Sequence, residues 1–248
     1  MFRVASVIFM ALTFAAAPGI AQQGGDLQAQ ILYAYHAEDT NLLANLVQTL
    51  NTQVKSGSAD AAIRYHLAHA QYRFGLLAGE RRAHDAQSAF ADCIEQLKQV
   101  LEQDVKSAEA LALQSACYSN LAKYRRLEAV LLRSRAEDRL RTALALAPRN
   151  PRVLYLSAME GLARSKPGTA ENQRAFEQLQ LAAQLFDQSS ATRIDVPGWG
   201  HAEAYLALGR QLQSRGDLLG ARNWIEKSLI VAPDFKAAQR QMATLVRH

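Results

Sequence analysis

Aromatic residues are scarce in this chain. They make up 7% of its 248 residues, against an apolar share of 49% in which alanine and leucine dominate. Strands draw on β-branched and aromatic side chains, so this balance argues for helices and against a sheet. Only six prolines and thirteen glycines are present, too few for the turns of an all-β domain. Two cysteines, with no HExxH sequence, supply no zinc cluster. There is no GxSxG, no Walker-type glycine loop and no dinucleotide fingerprint. The chain is therefore expected to be non-enzymatic, with no cofactor and no metal.

Long apolar runs are also missing, with one exception. Arg3 precedes an apolar stretch from Val4 to Ala17, and Pro18, Gly19, Ile20 and Ala21 lead into the polar Gln22 and Gln23. A positive start, a short apolar centre and small residues before a polar one predict a signal peptide over 1–21, with a buried N-terminal helix or an uncleaved anchor as the alternative. Spanning a bilayer takes roughly 20 apolar residues, so this run is short for an anchor, and no later segment replaces it. The expected location is periplasmic or secreted, with no integral membrane segment after cleavage.

What is abundant is a spacing. Ala136, Leu140, Ala143, Leu144, Ala147 and Pro148 repeat as Ala221, Ile225, Ser228, Leu229, Ala232 and Pro233. Weaker copies start at Cys93 and at Ala175, so the unit recurs about every 43 residues, a period of stacked helical hairpins. Small residues on one helix face let a second helix approach, and proline ends the first. Each copy is preceded by a partner helix, in which Gly209, Ser115 and Ala158 are the expected points of close contact. Turns are expected at Arg215–Gly216–Asp217, Lys166–Pro167–Gly168 and Pro197–Gly198–Trp199–Gly200. Residues 22–57 read as an N-terminal helical pair, and Lys236 to Val246 as a final helix whose Arg240, Gln241 and Arg247 suit a polar outer cap. The repeats thus predict a single quasi-linear stack over 58–248.

Tyr205, Leu208, Gly209, Leu212, Ala221, Ile225, Ser228 and Pro233 resemble the tetratricopeptide repeat pattern nearly position for position over 202–235. The match extends more weakly to the other copies, with Gln114 in place of the usual leucine and Asp104 and Asp187 near the places of proline. WGHAEAYLALG followed by GDLLGARNWIEKSLIVAPDF looks like the closing repeat of secreted bacterial proteins of this kind. The resemblance implies an all-α fold: a right-handed superhelical stack of antiparallel helix pairs, a TPR-like solenoid. It also implies a protein-interaction scaffold that binds a peptide or partner protein on its concave face, lined by the first helix of each pair. Carried over residue by residue, that face comprises Leu206, Arg210 and Gln213, then Tyr155, Met159 and Leu162, then Ala112, Ala116, Ser119 and Asn120. Core packing is the alternative for Tyr155 and Met159. The Lys and Asn set that grips a terminal carboxylate in some relatives is missing apart from Asn120.

Four side-chain groups carry further expectations. Cys93 and Cys117 are equidistant from Val105, at a proposed turn between antiparallel helices, which puts them at one height; a disulfide and two separate buried cysteines are both open. His66 and His69 share a helix face and read as a solvated or partly packed pair. Glu137, Asp138 and Glu203 read as members of ordinary surface ion pairs, such as Glu137 with Arg141. Around them Arg125, Arg126, Arg133, Arg135, Arg139, Arg141, Arg149, Arg152 and Lys123 outnumber the acids. That excess suits either a solubilising surface or a binder of an anionic glycan, lipid or other anionic envelope polymer. Nucleic acid is not expected, because no aromatic stacking pattern accompanies the charge.

Overall fold

A computed structural model describes residues 19–57, 59–190 and 198–245, with side chains from Asp26 onwards. Among the described residues the regular elements are helices: α1 (Gly19–His36), α2 (Thr40–Lys55), α3 (Ala61–Ala78), α4 (Ala83–Gln103), α5 (Ala108–Tyr124), α6 (Ala129–Leu146), α7 (Pro151–Arg164), α8 (Ala170–Ser190), α9 (His201–Ser214), α10 (Leu218–Val231) and α11 (Lys236–Leu245), with short 3₁₀ turns before α4 and α6. Most of the expected signal sequence lies outside the described residues, and the expected cleavage point after Ala21 falls within α1.

Local chemistry sets the helix ends. Asp39, Asp60 and Asp217 accept from the backbone N–H groups of Leu42, Ile63 and Gly220, which satisfies donors that the first turn leaves free. Asn150 does the same for Arg152 and Val153, with Pro151 in the first helical position. Between α9 and α10, Gly216 takes a φ of +82°, a left-handed conformation that a side chain would strain.

The helices pack as hairpins, α3 with α4, α5 with α6, α7 with α8 and α9 with α10, and α3, α5 and α7 then pack side by side. Close approach depends on small residues. A Cβ added at Gly209 would sit 2.5 Å from Ile225 Cγ1 and 3.0 Å from the Ala221 carbonyl oxygen. Ser115 donates to the Ala136 carbonyl at 2.8 Å, and Ser228 donates to that of Ala202 at the same distance. In the α7–α8 hairpin the tightest point is Gly161, where an added Cβ would meet Ala175 Cβ at 2.8 Å. Ala158, the expected contact, is fully buried one turn earlier. Cys93 and Cys117 are bonded, with Cα atoms 6.4 Å apart, which ties α4 to α5 within the main core.

The stack is not quasi-linear with a free outer cap, because its two ends meet. His36 and Tyr35 at the end of α1 pack against Phe235, with ring centroids 4.3 Å and 6.3 Å apart. Arg240 of α11 donates through two guanidinium nitrogens to Glu38, and Gln241 bonds Arg210 and Gln213. Of the polar residues expected at the C-terminal cap, Arg240, still largely exposed, ties α11 to the end of α1, Gln241 ties it to α9, and Arg247 lies outside the described residues, so α1 bridges the first and last hairpins.

Candidate functional site

Curvature that brings the two ends together encloses a cavity of about 640 Å³ on the inner face. Most of the residues carried over by the repeat resemblance line it: Tyr155, Met159, Leu206, Arg210, Ser119 and Asn120, together with Ala112 and Ala116. Two do not. Leu162 packs onto the main core, and Gln213, in the last turn of α9, accepts from Gln241. Tyr155 and Leu206 are largely buried, so their rings and chains form the floor, while Met159 and Arg210 stand at the rim.

Glu203, which also lines the cavity, belongs to a charged pair that the repeat pattern does not foreshadow. Arg73 on α3, 1% exposed, donates to Glu203 on α9 at 2.6 Å. Glu203 is thus no surface carboxylate: its second oxygen accepts from the Gly200 N–H at 3.0 Å, capping α9, and His36 Nε2 lies 3.4 Å from the first. Arg73 Nε also donates to His69 Nε2 at 3.0 Å, and its guanidinium lies 4.4 Å from the centre of the Tyr35 ring. His69, far from solvated, is fully buried against Trp199. His66, its expected partner, is half-buried. One feature of the sequence does mark this cluster: Arg73 falls between Tyr72 and Phe74 in a helix most of whose second half is buried, where a cation requires a partner. Its partner, 130 residues distant, leaves no local trace.

Electrostatics follow from the burial. Desolvation alone would raise the Glu203 carboxyl, but Arg73, His36 and its own backbone N–H hold it well below the usual carboxylate range. Burial, reinforced by Arg73, keeps the His69 imidazole neutral, far below its ordinary value. Burial pushes the Tyr72 phenol up to about 12 and the Tyr155 phenol well above its ordinary value. The floor therefore offers neutral hydroxyls, and Ser119 adds a buried oxygen with no partner in the protein. The rim carries Lys123, Arg133, Arg164 and Arg210 against Glu160. Such a surface suits an extended segment rich in acceptors and negative charge.

A second polar group flanks the cavity: Arg152 pairs with Glu109 at 2.9 Å and donates to the Trp199 carbonyl. Arg152 is thereby removed from the exposed basic segment. Within that segment Glu137 pairs with Arg164 of α7, not with Arg141, whose partner is Asp138. Among the described residues no group of three His, Cys, Asp or Glu converges on a metal-sized site, and no helix is long and apolar enough to cross a membrane.

This arrangement of paired helices around an inner face defines a TPR-like α-solenoid. The chain is similar to the thermophilic TPR protein TTC0263 of Thermus thermophilus, at a TM-score of 0.61 and 19% identity over 92% of this chain and 99% of that one. Yeast Tom70 matches 95% of this chain with 58% of its own, at 13% identity and a TM-score of 0.37. No family model matches the sequence, and neither does any curated protein.

Proposed function

We propose that this protein is a non-enzymatic scaffold of the bacterial cell envelope that holds an extended, acidic segment of a partner protein in its inner cavity. The observation that carries the reading is the cavity itself, where neutral tyrosine hydroxyls form the floor and Lys123, Arg133, Arg164 and Arg210 ring the opening. The apolar run from Val4 to Ala17 and the oxidised Cys93–Cys117 pair support a location outside the cytoplasm. Tyr155 and Leu206 supply apolar contact, and Arg210 and Arg133 supply charge that also speeds the encounter.

A photo-crosslinker at Met159, which is 37% exposed on the cavity wall, tests this directly. It is expected to capture a partner from an envelope extract, whereas the same group at Ile230, on the outer surface, is not. Arg133→Glu with Arg210→Glu is expected to lower the yield by about tenfold or more, because each reversal turns attraction into like-charge repulsion. Equal capture at Met159 and Ile230, or capture indifferent to the reversals, counts against the cavity as the binding site.

A further inference from the structure

On the outer surface, α6 begins with an apolar tip that nothing covers. Leu127, in the turn before the helix, and Val130 in its first turn are 104% and 82% exposed, and Leu131 is 53% exposed. With Ser134 they are spaced three and four residues apart and form one face. Arg126 adjoins Leu127, while Arg133 and Arg135 fall on opposite flanks of the face. All three acids nearby are already engaged: Glu128 with Arg125, Glu137 with Arg164 and Asp138 with Arg141. Arg126, Arg133 and Arg135 pair with no described carboxylate.

We infer that this tip is a peripheral membrane contact, inserting Leu127 and Val130 among the headgroups of a bilayer while Arg126 and Arg135 meet anionic phosphates. A bilayer fits this surface better than a protein partner does. Protein interfaces concentrate their energy in aromatic anchors seated in pockets, whereas these side chains are aliphatic and protrude. Exposed apolar residues ringed by unpaired cations match the two attractions that a bilayer offers, apolar burial and a negative surface potential. Arg133 reaches the rim of the inner cavity and is no part of this contact, which therefore stands or falls apart from the scaffold reading.

Co-sedimentation of the full chain with vesicles tests it, comparing pure phosphatidylcholine with phosphatidylcholine containing phosphatidylglycerol. Binding to neutral vesicles is the baseline. Above that baseline the anionic vesicles are expected to bind the protein, and added salt to weaken binding. Arg126→Gln and Arg135→Gln together are expected to reduce binding by about 25-fold, at about fivefold for each cation. Leu127→Ser with Val130→Ser is expected to reduce it by about tenfold at fixed salt. Val105→Ser, at an exposed valine in the α4–α5 turn, is expected to leave it unchanged. The proposal is overturned by equal binding to both vesicle types or by a serine double variant that binds as tightly as the unsubstituted chain. A Val105→Ser variant as impaired as that double variant overturns it too.

Discussion

Two arginine–carboxylate pairs divide the molecule into an inner and an outer region. Arg73 and Glu203 have side chains 1% and 5% exposed and stand 130 residues apart in sequence, on α3 and α9. Arg141 and Asp138 are 74% and 65% exposed and lie one turn apart on α6. The chemical groups are the same, but their consequences are opposite. The inner pair excludes water, so its attraction is unscreened and losing either partner strands a buried charge. Solvent screens the outer pair, which joins a helix only to itself. A charged pair in this fold therefore becomes structural when curvature brings two hairpins together, not because of the residue types it uses.

The comparison breaks most sharply at Glu203. Glu203→Ala leaves the Arg73 guanidinium buried with only His69 to accept from it, and is expected to cost about 3–5 kcal/mol in denaturant unfolding. Replacing both partners, as Arg73→Met with Glu203→Leu, removes the stranded charge and is expected to recover most of that loss. If Glu203→Ala unfolds at the denaturant concentration of the unsubstituted chain, the inner pair does not hold the ring closed.

Acid acts on the same cluster by a smaller amount. The folded state keeps His69 and His66 neutral, chiefly through burial, so both have values below the ordinary 6.5. Below about pH 6.5 the unfolded chain binds protons that the folded chain refuses, so stability is complete above this pH and falls as it is lowered. Glu203 adds a second loss: its depressed carboxyl contributes stability above the ordinary 4.5, which is lost as the pH falls further towards the folded value. Melting curves are expected to show a decline beginning near pH 6.5 that steepens below 4.5. His69→Gln is expected to flatten the first part and leave the second. A melting temperature independent of pH between about 7 and 5 would contradict the neutral, buried His69.

How much of this was legible in the sequence depends on the range of the interaction. The hairpins were, because their cause is local: Gly209 against Ala221 and Ile225, the caps at Asp217 and Asn150, and the turn at Gly216 all act within one repeat. Ring closure was not, because Glu38 with Arg240 and Arg73 with Glu203 join residues 202 and 130 positions apart. No periodicity encodes such a separation. Most of the cavity lining was legible because the repeat puts the first helix of each pair inside. Gln213 and Leu162 lie away from the cavity for the same reason as the closure: α11 takes up Gln213 and the core takes up Leu162, and both depend on the curvature of the whole stack.

The smallest expected effect tests the outer half of the comparison. Asp138→Ala removes the partner of Arg141 on an exposed turn of α6, where both side chains reach solvent. The freed guanidinium is hydrated at once, so no charge is stranded, and alanine is a better helix former than aspartate. The lost i,i+3 attraction is worth about 0.3–0.5 kcal/mol, and the gain in helix propensity offsets it by a similar amount. Unfolding free energy is therefore expected to stay within about 0.5 kcal/mol of the unsubstituted chain, a change of opposite scale to that at Glu203. A loss of several kcal/mol at Asp138 would mean that α6 is held by its surface charges, and the division between inner and outer pairs would fail.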